Sequence, residues 1–101
     1  GPLAERMIES LHIGKTFLGI DGLSIEEGIM TYSESEAHTA RMIIARSRQT
    51  FAVFDHSKAG KTSLFSMAPL KELTGVVTDR SIDPAIAKRL REEGLEVHIA
   101  E

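Results

Sequence analysis

Cysteine is absent from the 101 residues, so disulfides, thiolate metal sites and thiol nucleophiles are excluded, an absence compatible with a reducing compartment. Tryptophan is absent too, and tyrosine occurs once. Basic blocks are missing: twelve Lys and Arg stand against fifteen Asp and Glu, a net charge of −3, which argues against duplex DNA as a direct partner of this segment. No apolar run approaches the roughly 18 residues of a membrane span. The opening "GPLAERMIESL" is not a basic region followed by an apolar core, so it is no signal peptide. Repeats, low-complexity tracts and linkers are also lacking.

What remains is a chain long enough for one domain, 42% hydrophobic and 27% charged, as in globular proteins. Helix-period and strand-like segments alternate along it. Pro2 suits a first helical turn, and Leu3, Met7, Ile8 and Leu11 form one stripe. Phe17–Asp21 reads as a buried strand, and "GLSIEEGIMTY" as a loop in which Gly22 and Gly28 permit unusual backbone angles. Ser33-Glu34-Ser35-Glu36 has the form of a capping box, predicting a helix from Ser33 to about Arg46–Arg48. Thr50–Phe54 is the next strand, "SLFSM" a further short strand or extended segment, and Pro69 opens a single turn. "GVVTD" is another strand. Asp83-Pro84 starts a helix that Gly94 stops, and "LEVHIA" closes the chain as a strand. Strands separated by helices cannot be joined by tight hairpins, so the expected fold is α/β: a Rossmann-like three-layer sandwich with a mostly parallel sheet.

Three apolar runs end in acids, at Asp21, Asp55 and Asp79. In open parallel sheets, ligands bind outside the carboxyl ends of the strands, which makes "IDGLS" and "FDHSKAGK" the site candidates. An aspartate at a strand end is also a good turn former and helix cap. Gly60-Lys61-Thr62 supplies only the tail of a phosphate-binding P-loop. Asp55 stands where its leading glycine belongs, so that reading fails. Lys58 and Lys61 remain as point charges for a phosphate, although exposed lysines are usually just solvated. The four histidines lack metal-ligand spacing, no G-x-S-x-G elbow supports a hydrolase triad, and no metal or cofactor is expected. Glu36 is expected first as the capping-box acid and second as a ligand contact.

The motifs "FLGIDGLSIEEGIMTYSESEA", "FAVFDHSKAG" and "APLKELTGVVTD" resemble, in order and spacing, the effector-sensing domain of DeoR-family bacterial transcriptional regulators. That resemblance implies a fold similar to ribose-5-phosphate isomerase and a phosphorylated sugar or related metabolite as effector. It makes Asp21, with Gly22, a hydroxyl-binding candidate. Lys58, preceded by Asp55, becomes the phosphate-binding one. Beside the resemblance, Thr31 and Tyr32 on the intervening loop, and Glu36, are secondary candidates for ligand contact. The position of the isomerase's catalytic glutamate falls on Ala40, which cannot move a proton, so binding without turnover is expected. The alternative is an isomerase-related enzyme using Glu36 or Asp21 as base. The resemblance further implies that residues 1–101 are a C-terminal, incomplete part of a sugar-phosphate-sensing domain in a cytoplasmic, homo-oligomeric regulator. DNA would be reached only through an N-terminal helix-turn-helix domain that this chain lacks.

Overall fold

A computed structural model describes all of residues 1–101. Helix α1 (Pro2–Glu9) begins at its proline as expected, and the Ser10 hydroxyl donates to the Met7 carbonyl at its end. Its apolar stripe lies open: Leu3 is 73% exposed and Met7 63%. Strand β1 (Ile13–Gly19) starts earlier than the expected strand and stops two residues before Asp21. It is not buried either. It has a neighbour on one side only, and Phe17 is 59% exposed. The chain leaves the ladder at Ile20 because the Asp21 amide turns away to the Met30 carbonyl.

The expected loop is instead a hairpin, β2 (Gly22–Ser24) and β3 (Gly28–Thr31), joined through a turn in which the Glu27 amide donates to Ser24 Oγ. Leu23 and Ile29 are wholly buried, so apolar burial converts a Gly-flanked segment into paired strands. Gly28 has φ +79, and a Cβ there would lie 2.2 Å from the Ala68 carbonyl oxygen, so only glycine fits.

Helix α2 (Glu34–Ala45) is capped by Ser33 and buries Ala37, Ala40 and Ile44. Strand β4 (Ser47–Val53) follows, and then a 3-10 turn at His56–Lys58 with Asp55 at its cap. Strand β5 (Phe65–Ala68) pairs antiparallel with β3, completing a small sheet ordered β2-β3-β5. Pro69 opens a 3-10 turn, Leu70–Glu72, before β6 (Gly75–Asp79). Asp83 Oδ1 accepts from the Ala85 amide to cap α3 (Pro84–Glu92). Gly94 at φ +92 ends it, and β7 (Glu96–Ala100) closes the chain.

The larger sheet is wholly parallel, ordered β1-β4-β6-β7 and flanked by helices. Side chains alternate across it. Ala52, Phe54 and Val76 point into one cluster with Ala40 and Ile44 of α2 and Ala87 and Leu90 of α3. The small sheet joins that cluster through Leu23, Ile29 and Met67. The opposite face carries Phe17 stacked on Phe51, centroids 5.4 Å apart, with the His98 ring edge-on to Phe51.

Candidate functional site

Register brings the three acids to one edge. Gly19 pairs with Val53 and Val53 with Val77, so Asp21, Asp55 and Asp79 each follow two residues further along. Asp55 accepts from the Ser57 hydroxyl and, at 2.8 Å, from the Ser57 amide. These bonds, the hydroxyl foremost, hold its carboxyl below the usual carboxylate range. Desolvation opposes them, and the weaker Lys58 and His56 charges act in the same direction as the bonds. Asp79 accepts from the His56 amide at 2.9 Å, the Ser81 amide at 2.9 Å and His56 Nδ1 at 3.0 Å. The His56 amide is the main cause of its lowered pKa. Asp55 therefore organises the loop after its own strand, and Asp79 ties that same loop, through His56, to the turn after β6.

Asp21 is placed differently. Its Oδ2 accepts from Thr31 Oγ1 at 3.0 Å and from the Tyr32 amide at 3.0 Å. The same Thr31 hydroxyl lies 3.2 Å from Glu36 Oε2 and accepts from the Ser33 amide. Thr31 is 2% exposed, yet its hydroxyl carries one proton for two carboxylates. It serves one of them at a time, and Asp21 keeps the Tyr32 amide when the proton turns to Glu36. Hairpin β2–β3 brings Thr31 to Asp21, and the first turn of α2 brings Glu36.

The capping box thus closes by half. The Glu36 amide donates to Ser33 Oγ at 3.2 Å, but the Ser33 amide donates to Thr31 Oγ1, and the Glu36 carboxylate turns to Thr31 instead of back to the cap. That corrects the expectation that capping is the main work of this side chain. Threonine at position 31 competes successfully for both groups.

Asp21, Thr31 and Glu36 line a cleft of about 590 Å³ between β1, α2 and β5, with Ala40, Leu18 and Met67 among its other walls. Ser35 and Thr39 also face it, two hydroxyls one helical turn apart that the sequence reading passed over. Their i, i+4 spacing on the face shared with Glu36 was the available signal. No Lys or Arg lines the cleft.

Gly22, Asp55 and Lys58 lie outside that lining, as does Tyr32, whose side chain is exposed. The loop from Asp55 to Lys61 docks along β2, the strand that follows Asp21. The Gly60 amide donates to the Leu23 carbonyl at 2.7 Å, Leu23 bridges to Ala59, and a Cβ on Gly22 would lie 2.7 Å from the Lys61 carbonyl oxygen. Lys58 is half-buried on this loop and forms no ion pair. No cluster of three metal-ligating side chains gathers anywhere in the chain, and no helix is long and apolar enough to cross a membrane.

This arrangement can hold a hydroxyl-rich molecule. Acceptors are paired at one point, hydroxyls line the adjacent helix, and a lysine-bearing loop follows the neighbouring strand. A family model described as "DeoR C terminal sensor domain" matches residues 1–80, which include the whole cleft and that loop. The chain belongs to this family. The DeoR sensor match ends just after β6, leaving α3 and β7 beyond it.

Among relatives, the chain is 36% identical over 97 residues to the uncharacterized HTH-type transcriptional regulator YulB of Bacillus subtilis, covering 96% of this chain and 38% of YulB. The HTH-type transcriptional repressor GlcR of Bacillus subtilis is 34% identical over 94 residues, 93% of this chain and 36% of GlcR. The lactose phosphotransferase system repressor of Streptococcus mutans is 32% identical over 88 residues, 87% of this chain and 35% of the repressor. The relatives are transcriptional regulators, and the chain spans well under half the length of each of these three.

Proposed function

We propose that this chain is the effector-binding part of a DeoR-family transcriptional regulator, and that its effector is a phosphorylated sugar held without being converted. The observation that carries the reading is the Asp21–Thr31–Glu36 arrangement, in which one buried hydroxyl serves two carboxylates at the mouth of a cleft. A sugar hydroxyl can donate to whichever carboxylate the Thr31 proton does not serve. A phosphate does not fit among those carboxylates. It belongs at the rim, where the Asp55–Lys61 loop docks along β2 and Lys58 is in no ion pair.

Conversion of a sugar phosphate between adjacent carbonyl positions needs a base within reach of the carbon-bound proton. Ala40 offers none at the position where the resemblance to the isomerase would place it. Glu36 does face the cleft, and this favours one second reading, an isomerase-related activity with Glu36 as base. In the regulator reading, the domain acts within a longer cytoplasmic, oligomeric protein whose helix-turn-helix domain contacts DNA. The effector works by preferring one of two arrangements of that assembly.

A thermal-shift series with pentose and hexose phosphates tests the reading. A ligand at 100 times its Kd adds about 2.7 kcal/mol, enough to raise Tm by on the order of 10–20 °C in a domain of this size. Lys58→Ala should lose the shift for the phosphorylated sugar and leave the unliganded Tm unchanged. Product formation that Glu36→Gln abolishes would establish the enzyme instead.

A further inference from the structure

The end of the parallel sheet away from the acid cleft holds a second concave feature, a hollow of about 270 Å³ lined by His12, Ile13, Gly14, Arg46 and Arg48. It lies where β1 and β4 begin, about 20 Å along β1 from the end that leads to Asp21, at 3.3 Å per residue. Its lining contains two guanidinium groups and an imidazole, and no carboxylate. None of the chain's ion pairs involves Arg46 or Arg48.

The geometry of each member explains why the hollow exists. Arg46 follows α2 directly, and its Nε donates to the Leu11 carbonyl at 2.9 Å. That bond fixes the plane of the guanidinium and leaves its terminal N–H groups free of side-chain partners. Arg48 makes no side-chain hydrogen bond. Pairing of Ile13 with Ser47 and of Lys15 with Gln49 sets Gly14 opposite Arg48, on the same face of the sheet. A Cβ at position 14 would meet nothing within 4 Å, and the backbone there is not left-handed, so the space beside Arg48 is open because residue 14 has no side chain.

Exposed arginines ordinarily extend into water, and one alone would carry no argument. Here one guanidinium is pinned and a second borders the same hollow, in a chain whose net charge is −3. Like charges sharing a concave site repel, and a bound anion removes that cost. The planar fork of arginine matches the oxygens of phosphate and of carboxylate, and a dianion balances two guanidinium charges where a carboxylate balances one.

We propose that this hollow is a binding site for a phosphate-type oxyanion, separate from the acid cleft and independent of what the cleft holds. Arg46 and Arg48 grip the oxygens, His12 borders them, and Gly14 leaves room for them.

The test is a titration of the 101-residue chain with inorganic phosphate, followed by NMR of the arginine Nε–H and histidine ring signals. Parallel titrations use sodium chloride and sodium acetate at matched ionic strength. The expected result is saturable movement of the Arg46, Arg48 and His12 signals with phosphate, at least tenfold weaker in Arg48→Ala and in Gly14→Leu. Lys58→Ala should leave it unchanged. Arg48→Ala removes only an exposed side chain, so it decides the matter even if Gly14→Leu folds poorly. Equal movement with chloride or acetate, or undiminished movement in Arg48→Ala, would overturn the proposal. So would phosphate-induced shifts confined to the Lys58 loop.

Discussion

Replacing Thr31 with valine removes one hydroxyl and leaves the shape of the side chain nearly intact, so it isolates the polar contribution of the group that joins Asp21 to Glu36. Thr31 is 2% exposed, and water cannot easily replace what it provides. Its single proton supplies one charge-assisted bond at a time, about 1.5–3 kcal/mol, and its oxygen accepts from the Ser33 amide, about 1 kcal/mol more. The unliganded chain should therefore lose about 2–4 kcal/mol. With about 4–8 °C lost per kcal/mol in a domain of 60–100 residues, Tm should fall by on the order of 15 °C. Thr31→Ser keeps the hydroxyl and gives up only a buried methyl, which costs about 1 kcal/mol.

Urea melts measure the stabilities, and titration with a stabilising sugar phosphate measures binding. Thr31→Val should bind at least tenfold more weakly than Thr31→Ser, because the paired acids lose the group that fixes their positions. Equal affinity in the two variants would refute the claim that this hydroxyl organises the site. A valine variant as stable as the parent would refute the energetic part of the argument.

Other outcomes follow from the same contacts. Gly28→Ala sets a Cβ against the Ala68 carbonyl oxygen at a φ of +79, so it should cost at least the 1–2 kcal/mol of a left-handed residue. Loss of amide protection should appear first in β3 and β5 by hydrogen exchange, and a uniform loss would argue against a local cause. Asp55 and Asp79 both have folded-state pKa values lowered from 3.8, chiefly by the Ser57 hydroxyl and by the His56 amide. Groups lowered in this way stabilise the fold above their unfolded pKa and lose that contribution as pH falls through the folded value. Stability should thus decline below about pH 4, with a shallower decline in Asp79→Asn, when urea midpoints are compared between pH 6 and pH 2.5.

Much of this architecture could be read from local chemistry. Asp83-Pro84 and Gly94 bound α3 because a cap, a first-turn proline and a left-handed glycine each act within a few residues. The strand ends at Asp55 and Asp79 were legible for the same reason, as apolar runs that stop at a turn former. Strand β1 was misplaced because Gly14 and Lys15 dilute its apolar signal, and an edge strand tolerates such residues. The β2–β3 hairpin escaped notice because strands of three and four residues show no clear period. Pairing with β5, more than thirty residues further along, is what stabilises them. Asp21 was found from its place after a strand. The orientation of Glu36 depends on Thr31, which reaches it through the hairpin, and no pattern within the helix start encodes that competition.

The most direct test of recognition without conversion is a pair of NMR readings on one sample: a sugar phosphate, at substrate excess, incubated with the chain. Protein signals from Asp21, Thr31, Glu36 and Lys58 should move saturably while the sugar's carbon spectrum stays constant for days, and Asp21→Asn should abolish the movement. A second sugar phosphate accumulating in proportion to protein, or undiminished binding by Asp21→Asn, would contradict the account.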